Sequence, residues 1–425
     1  MRRLEVLPSD LPPVEPRARL PGGFVAGAMA VGIKASGRPD LGVLATTGRP
    51  ASVAATFTTN QVPAAPIRLT RANLAATGGH AAAVLCTSGC ANAATGEAGD
   101  RDQAALGSAL ADRAGVDPEL TVAISTGLIG SRLPVDAIRA GLARLVPAGL
   151  AATDAAFAAL GEQMRTTDSR AKSASVEVRL PGAAAGDPPV LVSGVAKGVG
   201  MIHPRMATML ALVATDANVA PPTLAGILGP AVERTWNQLT VDGDTSTNDT
   251  VLLLASGAAG GTEIAPGTAA HAALARAIES VARSLARQQA ADGEGATTLI
   301  TCQASGARTD VEARAAARSV VASSLLKAAI HGRDPNWGRI VAAIGNAVVA
   351  GAPIALDPDR LAVAIAGVPV FDGAPLEFDR AAVSRRMDAP EVLLRVDLGL
   401  GDGSGEAFGC DLTEAYVVEN AAYST

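Results

Sequence analysis

The residues of this 425-residue chain best suited to covalent chemistry lie in one segment, Lys197-Gly198-Val199-Gly200-Met201-Ile202-His203-Pro204-Arg205-Met206-Ala207-Thr208-Met209-Leu210. A glycine-rich stretch leads through Pro204 to the small residue Ala207, then Thr208, then the strand-like run Met209 to Val213. A threonine hydroxyl is a poor nucleophile unless a base takes its proton. A free amine on that same threonine is one such base, and it is always within reach. Creating it requires the bond before Thr208 to break. The Thr208 hydroxyl would attack the Ala207 carbonyl, the acyl group would move from nitrogen to oxygen, and water would hydrolyse the ester. Ala207 is small enough for close approach, and the upstream glycines permit a strained backbone. On spacing alone, the competing reading is a loop entering a buried strand.

Other chemistries lack their residues. A phosphate loop needs Ser or Thr after its lysine, but Gly198 follows Lys197. Gly198 and Gly200 begin a dinucleotide-like pattern, yet His203 stands where its third glycine belongs. Cys86 and Cys90 have no second pair at zinc spacing; His80, His203, His271 and His331 are scattered. No serine sits in a G-x-S-x-G elbow. No metal or nucleotide cofactor is therefore expected, and Cys86, Cys90, Cys302 and Cys410 are read as core residues.

The elements that would position the segment mix strand and helix. Ala174, Val176, Val178 and Leu180 alternate with polar residues, as do Val392, Leu394, Val396 and Leu398, predicting half-buried strands. Leu274, Ile278, Val281 and Leu285 fall on one helical face. A helix is predicted from about Asp310 to Ile330, with shorter ones near 102–114, 134–146, 152–164 and 221–237. Residues 1–22 read as a Pro-rich arm extended along the surface. The expected class is mixed α/β, with sheet faces covered by helices. Five polar, glycine-bearing segments punctuate these elements: STGLIG (125–130), 194–210, VDGDTSTNDT (241–250), DGEGATT (292–298) and GRDPNWGRI (332–340). Their pattern suggests loops gathered at one site.

Composition narrows the partners. Apolar residues are 48% and charged residues 18% of the chain, a globular balance. The net charge of -6 comes without a basic stripe, and aromatics are only 2%, which speaks against nucleic-acid binding. No apolar run reaches the ~18 residues of a membrane span. Arg2 and Arg3 are followed by Pro8, Asp10, Pro12 and Pro13, unlike the apolar stretch of a signal peptide. A cytoplasmic setting is expected.

The segment KGVGMIHPRMATML resembles the processing segment of the ornithine acetyltransferase (glutamate N-acetyltransferase) family. The similarity extends through GGFVAGAMAVGIKASGRPDLGVL (22–44), FTTNQVPAAP (57–66), STGLIG, TTDSRAK (166–172), DGEGAT, GRDPNWGRI and the C-terminal CDLTEAY and ENAAYST, in order and spacing. The resemblance implies the family's α/β fold and cleavage between Ala207 and Thr208. The products would be a chain of residues 23–207 behind the arm and a chain of residues 208–425, with the site between them. Two copies of each fragment would form an α2β2 assembly. It also implies a ping-pong transfer in which Thr208 takes the acetyl group from N2-acetylornithine and passes it to glutamate, with acetyl-CoA a further donor in some members. Thr126 and Gly127 match the oxyanion-hole pair. Lys197 matches a substrate lysine able to pair with an α-carboxylate. Thr166 matches a substrate contact, with Thr167 as the alternative. Glu294 would attract the cationic end of ornithine, and Asn420 and Thr425 match C-terminal substrate contacts. Asp244 and Asn248 receive no direct role beyond supporting the site, and Trp337 is as well explained by packing.

The chain departs from the family's pattern at Cys90 in Ser88-Gly89-Cys90-Ala91-Asn92, at Ala422 before the final Tyr423, at Thr298, where lysine is common, and at His331 and Glu419. These leave open a relative of specialised metabolism with a different amino-acid acceptor. Two other classes compete: a self-processing amidase or aminopeptidase, whose acyl-enzyme reacts with water, and a non-catalytic binding protein. The intact Ala207-Thr208 and Thr126-Gly127 pairs argue against the last.

Overall fold

In the computed structural model, residues 10–183, 186, 188–203 and 209–422 are described. The apolar runs LALVAT and TVLLLA form the strands Leu210–Thr215 and Thr250–Ala255, buried at every position. Burial on both faces requires a layer on each side. These strands pair in parallel at the middle of a six-stranded sheet. Its order is His80–Ala81, Ala51–Phe57, Thr250–Ala255, Leu210–Thr215, Val190–Lys197, Lys172–Val178, with every other pairing antiparallel. A four-stranded sheet follows the order Phe24–Met29, Leu41–Thr46, Ala83–Cys90, Thr121–Leu128, only its last pair being parallel.

The two sheets share a core. Phe24, Leu44, Val84, Cys86 and Ile124 of the smaller sheet cluster with Val53, Val195, Leu210, Leu212, Leu252 and Leu254 of the larger. The helices Pro221–Arg234 and Ala269–Ala291 cover the outer face of the larger sheet, where Leu274, Ile278, Val281 and Leu285 form the expected stripe. Leu106 and Leu110 of Gly96–Ala114, with Ile138 and Leu142 of Val135–Leu145, cover the outer face of the smaller. The result is a helix–sheet–sheet–helix sandwich. The mixed α/β class is as expected, but the inner faces cover each other with the help of one helix, Asp154–Met164, whose Phe157, Leu160 and Met164 enter the shared core. Strand alternation shows that a face is buried without showing what buries it.

A third, five-stranded sheet, ordered Val368–Asp372, Ala362–Ile365, Glu391–Asp397, Leu299–Ala307, Gly403–Cys410, has its own core with the helices Asp310–Ala322, Ser324–His331 and Trp337–Gly345. Phe408 and Cys410 join it to the sandwich core. The single helix expected over 310–330 is thus two. Ser323 leaves helical geometry at ψ 111°, and its hydroxyl accepts the Leu326 N–H at 3.3 Å, capping the second helix. The described part of the arm adds to the sheet edge: Glu15 bridges Ser175 and the Arg19 N–H donates to Ser193 Oγ at 3.0 Å.

Candidate active site

Three neighbouring elements end at one cavity. The strand Thr121–Leu128 brings Thr126 and Gly127, the strand Val190–Lys197 brings Lys197, and the strand Leu210–Thr215 begins two residues after Thr208. The cavity is lined by Ala91, Thr126, Gly127, Ile129, Thr166, Thr167, Lys197, Gly200, Met201, Ser246, Thr247, Asn248, Glu294 and Asn420. Six of the nine residues singled out from the sequence therefore meet at one place. The other three, Ala207, Thr208 and Thr425, lie outside the described residues.

Lys197 is buried, and its Nζ donates to Thr126 Oγ1 at 3.1 Å. A hydroxyl oxygen that accepts from the lysine keeps its own hydrogen free to donate, the polarity an oxyanion requires. Gly127 has φ 129°, and a Cβ there would lie 2.5 Å from Cys90 N and 2.6 Å from Gly89 O. Only glycine fits such a backbone approach. The parallel ladder also loses its regular register at Gly89 and Cys90.

A buried charge network fixes the next loop. Lys172 Nζ lies 2.6 Å from both Asp168 Oδ1 and Asp292 Oδ2. Asp168 also accepts the Gly198 N–H at 2.8 Å and the Thr166 N–H at 3.1 Å. Burial pushes the Asp168 carboxyl up, but Lys197, Lys172 and the Gly198 N–H outweigh it and hold its pKa at about 2. Burial pushes the Lys197 ammonium down against the attraction of Asp168. Two residues past Asp292, Glu294 accepts from Thr167 Oγ1 at 2.9 Å and from Asn420 Nδ2 at 3.0 Å. Thr166 and Thr167 both line the cavity, and the hydroxyl of Thr167 is the one bonded to Glu294.

Asn248 holds the strand ends together, donating to Ala91 O at 2.7 Å and Ser125 O at 2.8 Å. The two carbonyls it joins are far away in the chain and leave no local signal. Asp244 is not in the cavity lining. Asp242 and Asp249, which the sequence reading passed over, hold the described backbone on either side of 204–208: Asp242 accepts the Met201 and Ile202 N–H groups, and Asp249 Oδ1 accepts the Met209 N–H at 2.8 Å. Trp337 stacks on Phe371 at 5.2 Å, within the third core. All four cysteines are buried and unpaired. Thr298 and His331, two of the departures, meet at Asp411, whose Oδ1 accepts the Thr298 N–H at 2.9 Å and whose Oδ2 lies 3.1 Å from His331 Nδ1. None of the described helices is long and apolar enough to cross a membrane.

The comparisons with known proteins agree with the motifs. The ArgJ family model matches residues 25–425. An arginine biosynthesis bifunctional protein ArgJ of Thermus thermophilus is 47% identical over 407 residues, covering 96% of this chain and 99% of its own. That of Deinococcus radiodurans is 44% identical over 410 residues, covering 96% and 99%. Among solved structures, ArgJ from Bacillus halodurans matches at 40% identity and TM-score 0.48, covering 50% of this chain and 98% of its own. Ornithine acetyltransferase from Mycobacterium tuberculosis, complexed with ornithine, matches at 34% identity and TM-score 0.40, covering 45% and 97%. The family match spans nearly the whole chain and includes every element that borders the cavity, so this chain belongs to the ArgJ family.

Proposed function

We propose that the chain is an acyltransferase of arginine biosynthesis that moves acetyl from N2-acetylornithine to glutamate through acetyl-Thr208, after cleaving itself between Ala207 and Thr208. The observation that carries this reading is the meeting of Thr126, Gly127, Lys197 and Glu294 in one cavity, at the end of the sheet where the strand after Thr208 starts. The Thr208 hydroxyl attacks the acetyl carbonyl and its own amine takes the proton. The Gly127 N–H and the Thr126 hydroxyl stabilise the oxyanion, each such donor lowering the barrier by on the order of 3 kcal/mol. Ornithine leaves, glutamate enters, and the reverse attack delivers N-acetylglutamate. Lys197 pairs with the α-carboxylate common to both substrates, Glu294 with the cationic end of ornithine, and Thr166, Asn420 and Thr425 complete the pocket.

Cleavage at Ala207 would divide the chain without dividing the fold. The strand Leu210–Thr215 lies between Val190–Lys197 from before the break and Thr250–Ala255 from after it, so the fragments remain one sheet. Two copies of each fragment would assemble as α2β2 in the cytoplasm. Relatives at 47% and 44% identity are both named bifunctional, and we extend acetyl-CoA to this chain as a second donor.

The denatured mass of the purified protein tests the cleavage. Two fragments are expected, the second starting at Thr208, and Thr208→Ala should leave one inactive chain of 42.3 kDa. Transfer surviving in that variant would remove Thr208 from the mechanism. Deacetylation of acetylornithine at one rate with and without glutamate would make the protein a hydrolase. Acetyl-CoA as sole donor should yield acetylglutamate; none would mean a single donor.

A further inference from the structure

Self-cleavage needs a base that the mature site does not supply. Before cleavage the nitrogen of Thr208 belongs to an amide, whose lone pair is delocalised, so it cannot take the hydroxyl proton. Another group must do so, close to Thr208 and with a free oxygen or nitrogen.

Asp249 is the carboxylate tied to the residue that follows Thr208. Its Oδ1 accepts the N–H of Met209, the residue bonded to Thr208, at 2.8 Å. Covalent geometry keeps a residue's hydroxyl oxygen within about 5 Å of the next residue's nitrogen whatever the dihedral angles. Its Oδ2 is buried and outside ordinary hydrogen-bond geometry among the described residues, although the Thr58 hydroxyl and the Ser246 N–H both act on the carboxylate. The hydroxyl of Thr58 lies beside it but gives its proton to Ser246 O at 2.6 Å. A buried carboxylate oxygen outside such geometry is costly, and such atoms call for an explanation. Other titratable groups on the described flanks of 204–208 already have partners: His203 Nδ1 lies 3.2 Å from Thr240 Oγ1. Lys197 Nζ is bonded to Thr126 Oγ1, and both oxygens of Asp242 accept backbone N–H groups at Met201 and Ile202. Burial also pushes the Asp249 carboxyl well above the ordinary carboxylate range, against the Met209 N–H and the nearby Lys197 ammonium. A base acts best when its pKa approaches the working pH.

We propose that Asp249 is the proton acceptor for Thr208 in self-cleavage, a role that rests on the cleavage reading above. The Asp249 carboxylate takes the Thr208 hydroxyl proton as Oγ1 bonds to the Ala207 carbonyl carbon. The Ala207–Thr208 C–N bond then breaks, and Asp249 returns the proton to the departing nitrogen, leaving an ester and a free amine. Water adds to the ester carbonyl and the C–Oγ1 bond breaks. Oγ1 leaves with one proton of the water, the new amine takes the other, and Ala207 ends as a carboxylate. In the mature protein the amine replaces Asp249 as base.

The test follows cleavage of the full-length chain after cell-free synthesis, by intact mass, in wild type, Asp249→Asn and Asp249→Ala. Asparagine keeps an oxygen for the Met209 N–H and removes the basic carboxylate. The proposal expects Asp249→Asn and Asp249→Ala to cleave at least about 100-fold more slowly, the low end for loss of a general base. Asp249→Asn should still unfold cooperatively, at a melting temperature near that of uncleaved Thr208→Ala. Cleavage of Asp249→Asn at the wild-type rate would reduce Asp249 to a positioning residue and overturn the proposal. The wild-type rate against pH decides the matter even if a variant misfolds. It should fall with acidification as the Asp249 carboxylate takes up a proton; a rate that does not fall on acidification also overturns the proposal. A wild-type chain that stays whole defeats the cleavage reading itself. A wild type that divides alongside an equally fast Asp249→Asn defeats only the role of Asp249.

Discussion

Gly200→Ala separates substrate binding from the acyl-transfer machinery. A Cβ at Gly200 would lie 2.5 Å from Glu294 Cδ and 2.8 Å from its Oε1. Normal contact requires at least about 3.5 Å, so the carboxylate must retreat by roughly 1 Å. The obstacle is the end of a flexible side chain and Gly200 has no positive φ, so the backbone has no reason to move. The displaced carboxylate cannot keep its 2.9 Å bond from Thr167 and its 3.0 Å bond from Asn420 together. If Glu294 holds the cationic end of ornithine, a charged hydrogen bond worth about 1.5–3 kcal/mol is lost. The KM for acetylornithine should then rise about 10- to 150-fold. The KM for glutamate, which has no cationic end, should change far less. The kcat should stay within about 3-fold, because Thr126 and Gly127 are untouched. Steady-state kinetics with each substrate varied in turn, plus a melting curve, would measure all of this. An unchanged acetylornithine KM would show that Glu294 does not read the substrate. Equal rises for both substrates would show that the variant damages the shared carboxylate site instead.

Gly127→Ala is the contrasting case, because its Cβ would meet the backbone of Gly89 and Cys90, which cannot swing aside. A kcat loss of about 100- to 1,000-fold with cleavage slowed is expected from displacing an oxyanion donor; near-normal kcat would remove Gly127 from that role. Asn248→Ala leaves the Ala91 and Ser125 carbonyls without their shared donor and should cost about 1–3 kcal/mol in a denaturant titration, with a fall in kcat. An unchanged midpoint would show that water satisfies both. Asp168→Asn leaves Lys172 with Asp292 alone and takes from buried Lys197 its strongest attraction, and should cost on the order of 3 kcal/mol. For pH, the folded Asp168 pKa of about 2 lies below the ordinary 3.8, so its stabilisation is complete above about pH 4. As pH falls from 4 through 2, roughly 2 kcal/mol is lost. Urea midpoints for wild type and Asp168→Asn should therefore converge on acidification; parallel curves would deny the depressed pKa.

The elements were legible wherever pattern is local. The alternation at 174–180 became Lys172–Val178, and the Leu274 stripe became one face of Ala269–Ala291. The helix expected over 310–330 was misread because alanine-rich periodicity runs straight through Ser323, where a side-chain cap replaces the helical bond. Thr126, Gly127, Lys197 and Glu294 were nameable because their motifs are long and resemble a family's. Asp249 was not, because an aspartate in a polar loop looks solvated until the fold buries it.

The sequence by itself determined which residue types are available for chemistry, the mixed α/β class and the family, since these depend on composition, short-range periodicity and motif order. Only the tertiary structure decided that two sheets bury each other's inner faces and that Thr126, Lys197 and Glu294 share a cavity. It alone paired the Thr167 hydroxyl with Glu294 and buried Asp249 beside Met209, one of its oxygens outside hydrogen-bond geometry among the described residues. The reason is physical: distance across a sheet, burial of a charge and the pairing of a polar atom depend on residues far apart in the chain, and no local pattern encodes them.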